Sequence, residues 1–144
     1  MRIRRHAFAH NVPHSDLLVS LDHAIFVDGV LIPAKYLMNG VTIRQDKRRK
    51  AISYFHVELD RHSIVLAAGL PAETYLEDGN RCWFANGGPV VMQHPDFSVH
   101  AWEAAGYAPL IVTGPILELV RQRLARRAKK LTQRTEPSRV MRRA

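Results

Sequence analysis

Cysteine is almost absent. Cys82 is the only one in 144 residues, which excludes an internal disulfide and any all-cysteine metal site. Packed in NRCWFANGG beside Trp83 and Phe84, it reads as a buried, inert thiol. No apolar run reaches the roughly 18 residues a membrane-spanning helix needs. The opening MRIRRHAFAH is basic, yet no apolar core follows it as in a secretory leader, and nothing else directs export. Acid is scarce at one end. From Arg121 to Ala144 there are ten Lys/Arg and a single acid, Glu136, whereas the first 120 residues hold 11 basic and 12 acidic groups. The net charge of +8 therefore belongs to a tail on a near-neutral body, which argues against a nucleic-acid-binding reading of the whole chain. That tail also lacks aromatic residues, so bases would find no stacking platform on it.

What is present is a duplication. VSLDHAIFVDGVLIPAKYLMNG runs from Val19 to Gly40, and VELDRHSIVLAAGLPAETYLEDG from Val57 to Gly79. Val-x-Leu-Asp, His-x-Ile, Gly, Pro-Ala, Tyr-Leu and a closing Gly recur in order. His23 pairs with His62, Pro33 with Pro71 and Gly40 with Gly79.

Within each copy the pattern predicts strand, turn, strand and short helix. Residues 17–27 are apolar and β-branched, with a break at Ser20–Asp22 that predicts a turn or bulge. Asp28-Gly29 is a two-residue hairpin signal. Pro33 to Gly40 and Pro71 to Gly79 read as short helices, each with Pro at the start and Gly at the end. Residues 44–50 are a charged loop, 51–68 a second strand region, 86–98 a loop and 110–113 a last strand. A helix follows Gly114-Pro115, with Ile116, Leu117, Val120 and Leu124 on one stripe. The expected division is a β domain over 1–115, a helix over 116–130 and a disordered basic tail over 131–144. One such unit cannot bury its own apolar face, but two related units can close on each other. A pseudo-twofold, mainly β fold follows, with His23 and His62 at related positions.

The chemistry concentrates at Ser20-Leu-Asp-His23. Residues three apart on an unbroken strand face opposite sides, so a turn must lie between Ser20 and His23 if they are to act together. A hydroxyl that holds an amide and an imidazole that protonates its leaving nitrogen would together polarise one peptide bond. The same residues also suit a plain turn with a half-buried histidine. His6, His10 and His14 are spaced by four, as metal ligands on a helix would be. Pro13 breaks any helix there and no carboxylate completes a set, so no metal and no cofactor is expected. His94 and His100 read as loop residues beside aromatic packing.

SLDHAIF and the two copies around it resemble the Hedgehog/intein (Hint) domain, in the bacterial subgroup with a Ser-x-Asp-His-Ala-x-Phe motif. The resemblance covers about residues 2–115. It implies a pseudo-twofold horseshoe of β-strands with short helices and a C-terminal helix. It also implies autocatalytic self-processing, in which a cysteine or serine attacks the preceding carbonyl. Ser20 and His23 would stand for the family's Thr-x-x-His. His62, with His56 at the position inteins often give to Asp, would sit near the nucleophile.

Two features depart from the family's pattern. The segment carrying the nucleophile is missing, and Glu73-Thr74 stands where inteins have His-Asn, so complete protein splicing is not expected. The chain reads as the C-terminal part of a Hint domain, inactive alone, whose partner is the missing N-terminal segment or a host polypeptide. Missing first strands would leave unpaired sheet edges. The alternative is a non-catalytic β-rich protein-interaction module that keeps the fold. Nucleic-acid attachment through the tail is a third, weaker option.

Overall fold

The computed structural model describes residues 1–47, 53–77, 84–86 and 97–135. Among the described residues, seven strands form two antiparallel sheets. The first sheet has the order β2-β1-β5, built from Arg2–Ile3 (β1), Leu17–Leu18 (β2) and Ile43–Arg44 (β5). The second has the order β4-β3-β7-β6, built from Ala24–Val27 (β3), Val30–Pro33 (β4), Ile64–Ala67 (β6) and Leu70–Glu73 (β7). A 3-10 turn, Ala34–Leu37, follows β4. Two helices complete the described elements, Phe97–Ala105 (α1) and Pro115–Thr135 (α2). The architecture is the mainly β one that the sequence pattern and the resemblance lead to, with a long C-terminal helix.

The duplication is realised as two hairpins of one design. Val27 faces Val30 across Asp28-Gly29, and Ala67 faces Leu70 across Ala68-Gly69. All four turn residues have positive φ, from 49° to 81°, the two-residue turn whose twist matches that of the flanking strands. The hairpins join through β3 and β7, which are antiparallel and in register at Ile25↔Ala72.

Both expected short helices need correction. The strand continues through Pro33 before a single 3-10 turn, and Pro71 lies inside β7, with no helix over residues 71–77. The reason is the hairpin register. Val27↔Val30 and Ala67↔Leu70 are the bonded pairs beside each turn, so Pro33 and Pro71, at odd steps along, point their nitrogens away from the hairpin partner. A missing N–H costs nothing in the hairpin ladder at such a position. On β4 that outward side is used at Leu31, whose N–H donates to Pro109 O and whose carbonyl accepts from Ile111 N. Leu110 thereby makes an isolated parallel bridge with Leu31, in place of the expected strand over 110–113.

Three further differences stand out. Residues 53–59 carry no strand, although their alternation suggested one. Phe97–Ala105 is a helix, and it includes His100, expected in a loop. Helix α2 continues to Thr135, past residue 130 where the expected helix ends, with Leu131 half-buried. The expectations for His94, for Cys82 and for residues 136–144 fall outside the described residues.

The core lies between the sheets and α2. Ile3, Ile25, Ile32, Leu37, Ile43 and Leu70 are at most 1% exposed, and Leu117, Val120 and Leu124 of α2 close over the same cluster. Each such side chain contributes about 1.5–3 kcal/mol of apolar burial. Ile116, placed on the same stripe by the sequence, is 43% exposed. Residues 1–3 are integrated in the first sheet: β1 is its central strand, Ile3 is fully buried and Met1 N donates to Val19 O at 2.7 Å. Exposed apolar groups gather elsewhere, at Tyr54, Phe55, Val57, Leu59 and Leu66.

Candidate functional site

The break between β2 and β3 is a tight turn closed by its own side chain. His23 N–H donates to Ser20 Oγ at 3.1 Å, the local bond by which serine ends regular structure. The bond is to the peptide nitrogen of His23. As acceptor there, Ser20 keeps its own hydrogen for donation to another group. The 3-10 turn after β4 holds this turn from beneath: Ala34 N–H donates to His23 O and Lys35 N–H to Leu21 O. Asp22 pairs with the Lys35 ammonium at the surface.

From the far side of the β3–β7 junction comes Glu73. Its Oε1 accepts the Ala24 N–H at 2.6 Å, one residue beyond His23. The ladder between the strands is confined to Ile25↔Ala72, so this carboxylate extends it by one bond. Glu73 occupies in the second hairpin the register position that Pro33 occupies in the first, since Ala24 faces Pro33 and Ile64 faces Glu73. The sequence pairing of Pro33 with Pro71 slips by two residues against this register and so hides Glu73. Aligning the two hairpin glycines, Gly29 and Gly69, would have exposed it.

His23 and His56 are brought together, with ring centroids 5.3 Å apart and planes at 58°. His56 in turn meets Phe84 at 5.1 Å and Tyr75 at 6.2 Å, edge to face. The segment carrying His56 is fastened beside β7 by Tyr75 N–H donating to Val57 O and Thr74 N–H to Ser63 O. Burial lowers the pKa of His23 below the usual imidazole value; the Glu73 carboxylate opposes that shift and His56 adds to it.

His62 is placed differently. Its side chain is fully buried, its Nδ1 accepts the Tyr107 N–H at 3.0 Å, and its ring meets Trp102 edge to face at 5.0 Å. With Nδ1 an acceptor, the ring hydrogen belongs on Nε2. Nε2 lies 3.7 Å from Glu73 Oε2, beyond hydrogen-bond reach, and has no partner among the described residues. Glu73 thus stands between the two histidines that the duplication pairs. His6 and His10, from the spaced set near the start, stack with centroids 5.6 Å apart, and His6 Nδ1 accepts from Asn11 N–H.

A turn that presents a hydroxyl and a half-buried imidazole, backed by a carboxylate from a duplicated hairpin, occupies the region that a family model described as "Hint domain" matches. The match covers residues 1–79, more than half of the chain. The chain belongs to the Hint-domain family. Ser20, His23, His56, His62 and Glu73 all lie inside the matched region of this Hint domain. Comparison with curated proteins and with solved structures found no match.

Proposed function

We propose that this Hint domain polarises one peptide bond for self-processing, through the Ser20–His23 turn. The observation that carries the reading is the turn itself: Ser20 Oγ is fixed by the His23 N–H with its hydrogen still available. The His23 imidazole, carried by the same turn, is kept mainly neutral near pH 7 by burial. A neutral imidazole accepts a proton from an attacking thiol and returns it to the leaving nitrogen. Sulfur bonds to the carbonyl carbon, the carbon–nitrogen bond breaks, and the thiol proton ends on the freed amine. Ser20 donates to the carbonyl oxygen and holds the amide in place. The thiol comes from a cysteine-bearing segment of a partner or host polypeptide. His56 faces His23 and tunes it. Glu73-Thr74 stands in place of the His-Asn ending on which complete splicing depends, so cleavage is the outcome.

The test supplies that segment as a peptide and follows thiol-induced cleavage by intact mass. Cleavage by the unmutated complex is expected, with Ser20→Ala slowed. A folded complex that shows no cleavage overturns the reading.

A second reading, a protein-interaction module on the same fold, is favoured by a separate observation. Strand β6 is a sheet edge, Leu66 on it is 72% exposed, and Phe55 is 90% exposed. Exposed apolar groups beside an open edge suit strand addition by a partner.

A further inference from the structure

We propose that Glu73 is a positioning residue for the reaction at His23, holding the Ser20–His23 turn from across the sheet and setting a negative charge beside the imidazole, with His62 as its buried buttress. The proposal rests on the self-processing reading of His23 given above. Three observations on different atoms support it.

First, Glu73 Oε1 binds the Ala24 N–H at 2.6 Å. This fixes the backbone directly after His23, so the ring's point of attachment is set by the second hairpin and not by its own turn alone. Second, the other oxygen has no role in that bond. It faces the Nε2 of His62, a histidine whose Nδ1 lone pair is already committed to Tyr107. His62 therefore has no basic nitrogen to offer the reaction in this arrangement. What it presents to Glu73 is an N–H whose nitrogen lies 3.7 Å from Oε2, with no other partner among the described residues. A buried unpaired donor is costly, and a sub-ångström approach of Oε2 would satisfy it. Third, the Glu73 side chain is only 10% exposed, so its charge acts on its neighbours with little solvent screening.

Among the described residues, the charged groups that act on His23 are Glu73 from β7 and His56 from the 53–59 segment, while Asp22 on its own turn is paired with Lys35. Glu73 is the carboxylate whose charge bears on the ring. It partly offsets burial and His56, which both disfavour the imidazolium. A leaving nitrogen that must receive a proton needs that form to be reachable.

The experiment is an NMR titration of the His23 ring in the full chain and in Glu73→Gln. The amide oxygen retains an acceptor for the Ala24 N–H while the charge is removed, and an NH2 replaces the Oε2 that faces His62. The His23 midpoint is expected to move to lower pH, with the Ala24 amide still protected from exchange. An unmoved midpoint in the folded variant overturns the proposal, because a purely structural Glu73 would give that result. Should Glu73→Gln fail to fold, the unmutated protein provides the second measurement. The Glu73 carboxyl-carbon resonance is expected to carry a step at the His23 midpoint, and its absence overturns the proposal equally. Neither readout needs cleavage. A moved midpoint in a chain that never cleaves contradicts self-processing and leaves the coupling standing. A cleaving chain with an unmoved midpoint contradicts the coupling alone.

Discussion

At the scale of single residues, His23 links chemistry to stability. Its folded pKa lies below the unfolded value because burial disfavours the charged ring. The unfolded chain therefore binds this proton more readily. The sign follows from linkage: the contribution is fully present above the unfolded value of about 6.5 and is lost as pH falls toward the folded one. Unfolding midpoints in urea at pH 7.5 and pH 5 are expected to differ less in His23→Gln than in the unmutated chain. An unchanged acid-side loss would show that His23 is not the group responsible. Serine at position 20 was legible in the sequence because a hydroxyl three residues before a turn-closing N–H is a local signal. Glu73 was not, because its partner lies 49 residues away and its significance appears only once the strands are in register. His62 was legible as a paired position in the repeat, but its burial against Trp102 depends on α1, which begins in a stretch that reads as loop.

At the scale of elements, the two hairpins differ at one turn residue. Asp28-Gly29 is a favoured pair for a turn with two positive φ angles, and Ala68-Gly69 is not. Ala68, at φ 49°, carries the strain of a Cβ in the left-handed region. Ala68→Asn is expected to raise stability by about 0.5–1 kcal/mol in chemical denaturation, whereas a loss would mean that the turn is not of this type. The hairpins themselves were legible from Gly29, from Gly69 and from the apolar pattern between them. The short helices were misread because proline starts helices and also sits at unbonded ladder positions. Only the count of residues from the turn separates the two cases. The loop after the 3-10 turn follows from Asn39-Gly40, where Asn39 Oδ1 accepts from Val41, Thr42 and Ile43 N–H and leads the chain into β5.

At the scale of the whole molecule, a near-neutral β body carries one basic helix. That helix is anchored rather than trailing: Leu117, Val120, Leu124 and Ala128 are buried, Arg123 pairs with Asp28 at 2.9 Å, and Arg127 Nε donates to His6 O. No helix among the described residues is long and apolar enough to cross a membrane. Besides Ile116 and Leu119 on the helix, exposed apolar groups mark a second flank at residues 54–59 and at Leu66 of β6. If that flank is a pairing edge, Phe55→Ser with Leu66→Lys is expected to reduce concentration-dependent association in sedimentation experiments while leaving thiol-induced cleavage unchanged. Undiminished association would place the contact elsewhere. The measurement that bears most directly on the function is the rate of thiol-induced cleavage against pH, in complexes of the unmutated chain and of His23→Ala. The expected result is a rate in the unmutated complex that falls on the acid side at a pH below the ordinary imidazole value, because burial lowers the His23 pKa, and a loss of about 100-fold or more with no such limb in His23→Ala. Equal rates and the same profile in both would contradict it.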